Sequence, residues 1–225
     1  MIEAVVFDLD GVLLDTEEIW DEARRQIAAE RGGRWPEDAQ QAMMGMSSPE
    51  WSGYMHDVVG LTEPPEEISA EVVARLEALY RERLPLIDGA IEAVRRIGSV
   101  RRLAIASSSN RPLIDLFLEL TGTGDLFRAT VSSEEVARGK PSPDVYLEAA
   151  GRLGAAATRC AAIEDSENGI RSAAGAGMRV LAIPNRVFPP SEEALALADV
   201  VLESLDELTV EVVEGLAAAD DELDA

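Results

Sequence analysis

The sequence predicts an α/β fold in which a parallel-sheet core is interrupted by an inserted helical domain. Three observations carry this expectation. Ala4-Val5-Val6-Phe7 is a run with no polar member that ends in Asp8-Leu9-Asp10-Gly11, as suits a strand buried on both faces. Residues 15–86 show helical patterning with no strand pattern between, too long a stretch for an ordinary crossover. From Ala90 onward, short apolar runs alternate with amphipathic stretches, the signature of repeating βα units with right-handed crossovers. The expected division is a core of residues 1–14 and 87–225 and an inserted domain of residues 15–86.

The first strand ends in acids. If the backbone stays extended there, Asp8 and Asp10 project to the same side and Leu9 turns away. Carboxyl ends of parallel strands are where open α/β sheets bind ligands, and two convergent carboxylates offer hard oxygens to Mg²⁺. The plainer alternative is a pair of loop acids capping a helix. Asp15 followed three residues later by Glu18 reads as a capping box, which opens a helix over residues 16–31 that stops at Gly32-Gly33. Further helices are expected over residues 36–44, 49–59 and 65–83, with Ser48 as the N-cap before Pro49. Residues 84–89 return to the core, pairing with residues 13–16 as a two-strand hinge.

In the core, strands are expected at 103–106, 129–131, 160–163, 180–183 and 198–202, with helices at 90–97, 112–120, 145–153 and 168–176. The last 25 residues carry nine acids and no base, which reads as a short helix followed by a frayed tail.

Composition narrows the function. Asp+Glu 43 against Lys+Arg 20 gives a formal charge of −23, which argues against nucleic acid or an anionic membrane as partner. His56 and Cys160 are each the sole residue of their type, so a multi-histidine metal site and an internal disulfide are excluded. Neither a signal peptide nor a transmembrane run is evident, so a cytoplasmic protein, working as a monomer, is expected. Lys140 is the only lysine, and a compact, rotatable ammonium suits phosphate held beside a carboxylate; a surface loop charge is the plainer reading.

Four polar clusters fall at predicted strand ends or in adjoining loops: Asp8/Asp10, Ser107, Lys140 and Glu164/Asp165. In order, Phe7-Asp8-Leu9-Asp10-Gly11-Val12, Ala106-Ser107-Ser108, Gly139-Lys140-Pro141 and Ile163-Glu164-Asp165-Ser166 resemble the four motifs of the haloacid dehalogenase (HAD) superfamily of phosphotransferases. The likeness covers nearly the whole chain. Gly139-Lys140-Pro141-Ser142-Pro143 and the helical insert are most similar to the subgroup of beta-phosphoglucomutase and small sugar-phosphate phosphatases.

The resemblance implies a Rossmann-like core with a four-helix cap, and it is consistent with what phosphoryl transfer requires. Asp8 is the expected nucleophile, forming an aspartyl phosphate, and Asp10 the general acid and base. Mg²⁺ would be held by Asp8, the backbone carbonyl of Asp10 and Asp165, with Glu164 either a ligand or a supporting partner. The Ser107 hydroxyl, the Ser108 N–H at a helix start and the Lys140 ammonium would face the phosphoryl oxygens.

Specificity is expected from the cap. In the mutase the first cap helix carries a histidine and the loop between the second and third cap helices an arginine for the distal phosphate; here Trp20 stands at the first place, and Gly45-Met46-Ser47-Ser48 has no base. A phosphatase is therefore preferred to a mutase, and a non-catalytic phosphate- or metal-binding module is a third possibility. The expected substrate is a small phosphorylated metabolite, a sugar or polyol phosphate. Ser109, Asn110 and Arg111 are candidate substrate contacts, Arg111 for a second anionic group. Trp20, Met43, Met44, Met46 and Trp51 are expected in the core of the insert, with an apolar wall over the leaving group as the alternative.

Overall fold

A computed structural model describes residues 1–44 and 46–216. Gly45 and the acidic end of the chain from residue 217 lie outside the described residues. The element order is β1 (Ala4–Phe7), α1 (Glu17–Glu30), α2 (Ala39–Met43), α3 (Ser48–Asp57), α4 (Pro65–Glu82), α5 (Ala90–Gly98), β2 (Arg102–Ser107), α6 (Arg111–Thr121), β3 (Phe127–Ser132), α7 (Asp144–Leu153), β4 (Cys160–Glu164), α8 (Glu167–Gly175), β5 (Arg179–Ala182), α9 (Glu192–Leu195), β6 (Val200–Val201) and α10 (Val210–Gly215).

The six strands form one sheet in the order β3-β2-β1-β4-β5-β6, with every pairing parallel. This is the doubly wound arrangement, and the strand order reverses between β1 and β4, where such sheets open a crevice at their carboxyl ends. Period-two alternation divides the core. Val5, Phe7, Leu103, Ile105 and Ile163 pack against α5, α6 and the inserted helices. Ala4, Val6, Ala104, Ala106 and Ala162 face α7 and α8, contributed by Val145, Tyr146, Ala149, Ile170 and Ala173. Small alanines on that face let two helices lie close to the sheet.

Helices α1–α4 stand between β1 and β2, as the absence of a strand pattern predicts. The chain enters and leaves this insert side by side: Leu14 forms an antiparallel bridge with Leu86, Asp15 N–H donates to Pro85 O at 2.8 Å, and Ile87 N–H donates to Leu13 O at 3.1 Å. The expected two-strand pairing is thus a single bridge with flanking hydrogen bonds.

Three local expectations need correction. No capping box forms at Asp15 and Glu18: the N-cap of α1 is Thr16, without a side-chain cap bond, because its hydroxyl donates to Asp10 instead. The second helix is only Ala39–Met43. The N-cap of α3 is Ser47, not Ser48, in a capping box with Glu50; Ser48 is the first helical residue. The expected short helix near the chain's end corresponds to α10.

Candidate active site

Asp8 directly follows β1, while Glu164 ends β4 and Asp165 follows it, so the two strands that flank the reversal point bring three acids together. Their carboxylate oxygens lie within 4.8 Å of one another and all three residues are buried. Lys140 reaches the same point from the loop before α7, with Nζ 2.8 Å from Asp8 Oδ2 and 2.6 Å from Glu164 Oε1. At 3% exposure, Lys140 is no surface loop charge. Its loop is pinned from below, where Ser172 Oγ donates to Ser142 O at 2.6 Å.

Glu164 is fully committed. Its Oε1 accepts from Lys140 and from the Tyr146 hydroxyl, each at 2.6 Å, and its Oε2 accepts from the Asp165 N–H at 3.1 Å and the Ser166 hydroxyl at 3.2 Å. Asp165 is held on one side only: Asn185 Nδ2 donates to Oδ2 at 3.3 Å, while Oδ1 is buried without a partner. Burial, then Glu164 and Asp8, push the Asp165 carboxyl well above the usual carboxylate range. Asp8 is pushed the same way by burial, against the pull of Lys140. Burial opposes the Lys140 ammonium, but Asp8 and Glu164 outweigh it and raise its pKa. Three acids thus face one ammonium, and one oxygen of Asp165 is buried without a partner. That donor set fits a hard divalent cation held by Asp8 and Asp165, with Glu164 orienting its neighbours.

Two glycines make room for this arrangement. Gly11 has φ +80°, and a Cβ there would lie 2.0 Å from Asp165 Oδ2; a Cβ on Gly169 would lie 1.9 Å from the Glu164 carboxylate. The backbone of α8 can approach Glu164 only because residue 169 has no side chain.

Asp10 stands apart from the acid cluster but lines the same pocket. Its Oδ1 accepts from Thr16 Oγ1 at 2.7 Å and Trp20 Nε1 at 3.2 Å. Its Oδ2 accepts from Ser109 Oγ at 2.6 Å and more weakly from Ser107 Oγ at 3.4 Å. Ser107 is fully buried and its hydroxyl also accepts from the Ser109 N–H at 2.9 Å. Ser108 lines the pocket, although α6 starts only at Arg111, so Ser108 precedes the helix rather than opening it.

The opposite wall comes from the insert: Glu17, Trp20 and Arg24 of α1, Gln40 and Met43 of α2, with Met44, Met46 and Trp51 beyond. Trp20, Met43 and Trp51 also belong to the buried core, so these residues are at once core and pocket lining.

Several specificity candidates lie elsewhere. Arg111 does not line the pocket: its guanidinium pairs with Glu135 and Asp115 and donates to Thr130 Oγ1 at 2.8 Å. Asn110 caps α6 and donates to Glu134 Oε1 at 2.8 Å and Ser69 Oγ at 3.3 Å. Ser47 is spent on its helix cap, and Ser48 is buried without lining the pocket. Sequence reasoning missed Arg24, Gln40, Tyr146 and Asn185. Arg24 had left a signal, since with Trp20, Ala23, Ile27 and Ala28 it occupies the buried stripe of α1, where an arginine is out of place.

A family model for haloacid dehalogenase-like hydrolases matches residues 2–177. The chain belongs to this family. Among curated relatives of this HAD chain, hexitol phosphatase B of Escherichia coli is 32% identical, over 95% of this chain and 97% of that protein. The phosphorylated carbohydrates phosphatase of Thermotoga maritima is 30% identical, over 79% and 82% of the two chains. Among solved structures, CbbY from Rhodobacter sphaeroides in complex with phosphate superposes with a TM-score of 0.85 at 29% identity, covering 95% of this chain and all of that one. The resemblance read from the sequence is thus to the family the chain belongs to, and the curated relatives it matches over most of its length include phosphatases.

Proposed function

We propose that this HAD hydrolase is a Mg²⁺-dependent phosphomonoester hydrolase that acts on a small phosphorylated metabolite such as a sugar phosphate through an aspartyl phosphate on Asp8. The observation that carries the reading is the setting of Asp8, buried at the reversal point of the sheet, paired with Lys140 at 2.8 Å and beside Asp165. The relatives named as hexitol and carbohydrate phosphatases support the substrate class.

Asp8 attacks phosphorus in line, the ester P–O bond breaks, and the leaving oxygen takes the proton of Asp10. Asp10 then removes a proton from water, the water oxygen attacks phosphorus, the bond to Asp8 breaks and inorganic phosphate departs. Lys140, Ser108 and the Ser107 hydroxyl, whose contact to Asp10 is long, are assigned to the phosphoryl oxygens. Bound Mg²⁺ supplies the charge neutralisation that lets anionic Asp8 approach an anionic phosphoryl group; Asp8, Asp165 and the backbone carbonyl of Asp10 would hold it. Residues 15–86 act as a cap over the core of residues 1–14 and 87–225, excluding water and contacting the leaving group. The enzyme is assigned to the cytoplasm as a monomer; a lone buried thiol at Cys160 fits that reducing compartment.

Trp20 favours hydrolysis over the mutase alternative. Its indole N–H orients Asp10 but has no basic lone pair to carry a proton, as the histidine of the resembled mutase would. The test is phosphate release from sugar phosphates, nucleotides and phosphoglycolate, with Mg²⁺ and with EDTA. Metal-dependent release from one class of ester is expected. Conversion of β-glucose 1-phosphate to glucose 6-phosphate without net release would establish the mutase instead.

A further inference from the structure

The wall of the pocket that faces the leaving group contains buried polar groups that the proposed chemistry does not use. Arg24 is 5% exposed and Gln40 is 8% exposed, and both line the pocket beside Glu17. The Arg24 guanidinium packs against two indoles that meet edge to face, 4.5 Å from the Trp20 ring and 4.8 Å from the Trp51 ring, and its Nε has no hydrogen-bond partner. Gln40 donates through Nε2 to the Glu17 backbone O at 3.3 Å and to Glu17 Oε2 at 3.1 Å. Two acceptors at that nitrogen fix the amide's orientation and leave Gln40 Oε1 buried without a partner.

An unsatisfied buried donor and an unsatisfied buried acceptor on one wall are each costly unless a ligand completes them. An anionic group could satisfy Arg24, but it would meet the buried Gln40 carbonyl oxygen with no hydrogen to offer. A hydroxyl accepts from the guanidinium and donates to the amide or the carboxylate. Trp20, Met44 and Met46, which line the same pocket, supply apolar surface against which the C–H groups of a polyol can lie. We propose that Arg24, Gln40 and Glu17 form a hydroxyl-recognition subsite that selects phosphate esters whose leaving group is an uncharged polyol. This rests on the phosphatase reading only for the placement of the phosphoryl group at Asp8.

The test is equilibrium binding to the full chain carrying Asp8→Asn, which keeps the ligand intact, with Mg²⁺ present and tryptophan fluorescence as the readout. Sorbitol 6-phosphate, sorbitol 1,6-bisphosphate and inorganic phosphate are the probes. Sorbitol 6-phosphate should bind more tightly than phosphate, and Arg24→Met or Gln40→Met should each shrink that preference about tenfold. Gln40→Met keeps the test decisive if loss of the buried arginine impairs folding. A bisphosphate that binds more tightly than the monophosphate, with Arg24→Met removing only that advantage, would make Arg24 an anion clamp and overturn the proposal. So would an unchanged preference in Gln40→Met, or no binding of sorbitol 6-phosphate. Tight binding without turnover by the unsubstituted enzyme would end the phosphatase reading and leave this subsite standing.

Discussion

A β-carbon on Gly11 would lie 2.0 Å from Asp165 Oδ2, so the turn after the first strand and the acid after the fourth occupy one space. Gly11 also holds φ +80°, where an alanine is strained by about 1–2 kcal/mol. Gly11→Ala should displace Asp165, abolish more than 99% of Mg²⁺-dependent turnover (a roughly 100-fold loss being about 2.7 kcal/mol), and lower the midpoint of urea unfolding. Near-normal kinetics would show that Asp165 has slack in this turn.

Lys140 offsets two buried acids at once. Lys140→Met leaves Asp8 and Glu164 uncompensated in the interior, and a cost of about 3–5 kcal/mol in unfolding free energy is expected in EDTA. Lys140→Arg keeps the charge but not the shape, because a planar guanidinium is larger than the space an ammonium fills between Asp8, Glu164 and the face of Tyr146. Its turnover should fall at least tenfold, as steady-state kinetics would show.

Tyr146 is assigned no chemical step, yet its hydroxyl donates to Glu164. Tyr146→Phe removes one of the two donors at Glu164 Oε1 and should cost about 1.5 kcal/mol of stability. Because Glu164 positions Asp165, kcat should fall several-fold with KM little changed. A change in KM alone would place Tyr146 in substrate binding instead.

Glu17 gives the protein a measurable pH dependence. Burial, then the nearby Asp10, raise its pKa to about 7, against the opposing pull of Arg24 and the hydrogen bond from Gln40. The folded protein therefore binds a proton that the unfolded chain releases at lower pH. Stability from this group is fully present below the unfolded value of 4.5 and is lost as pH rises towards 7. Glu17→Gln cannot lose it. Relative to wild type, the variant should gain up to roughly 3 kcal/mol between pH 4.5 and pH 8, read by urea unfolding in EDTA. A difference that does not vary with pH would contradict the assignment.

The fold was legible because its signals are local. An all-apolar Ala4–Phe7 and the alternating βα pattern follow from burial on both faces of a parallel sheet. The acid cluster was legible because Asp8, Glu164 and Asp165 sit at strand ends. On the side of the pocket formed by the insert, the apolar residues were legible and the polar ones were not. Arg24 and Gln40 come from two different helices and meet only through packing, which has no sequence period. Arg111 was misplaced for the opposite reason: it follows a site motif closely, yet α6 turns it towards Glu135 and Thr130, where ion pairs hold it. Thr16 shows a similar competition, its hydroxyl serving Asp10 rather than its own helix.

The central claim is that phosphate passes through Asp8. p-Nitrophenyl phosphate expels p-nitrophenolate, which leaves without a proton, so Asp10→Asn should still form the aspartyl phosphate but hydrolyse it slowly. The direct measurement is to quench that variant with acid during turnover in Mg²⁺, reduce it with borohydride and map the modified residue by mass spectrometry. The account predicts homoserine at position 8. Modification at another residue, or none while p-nitrophenol is released in a burst, would contradict it.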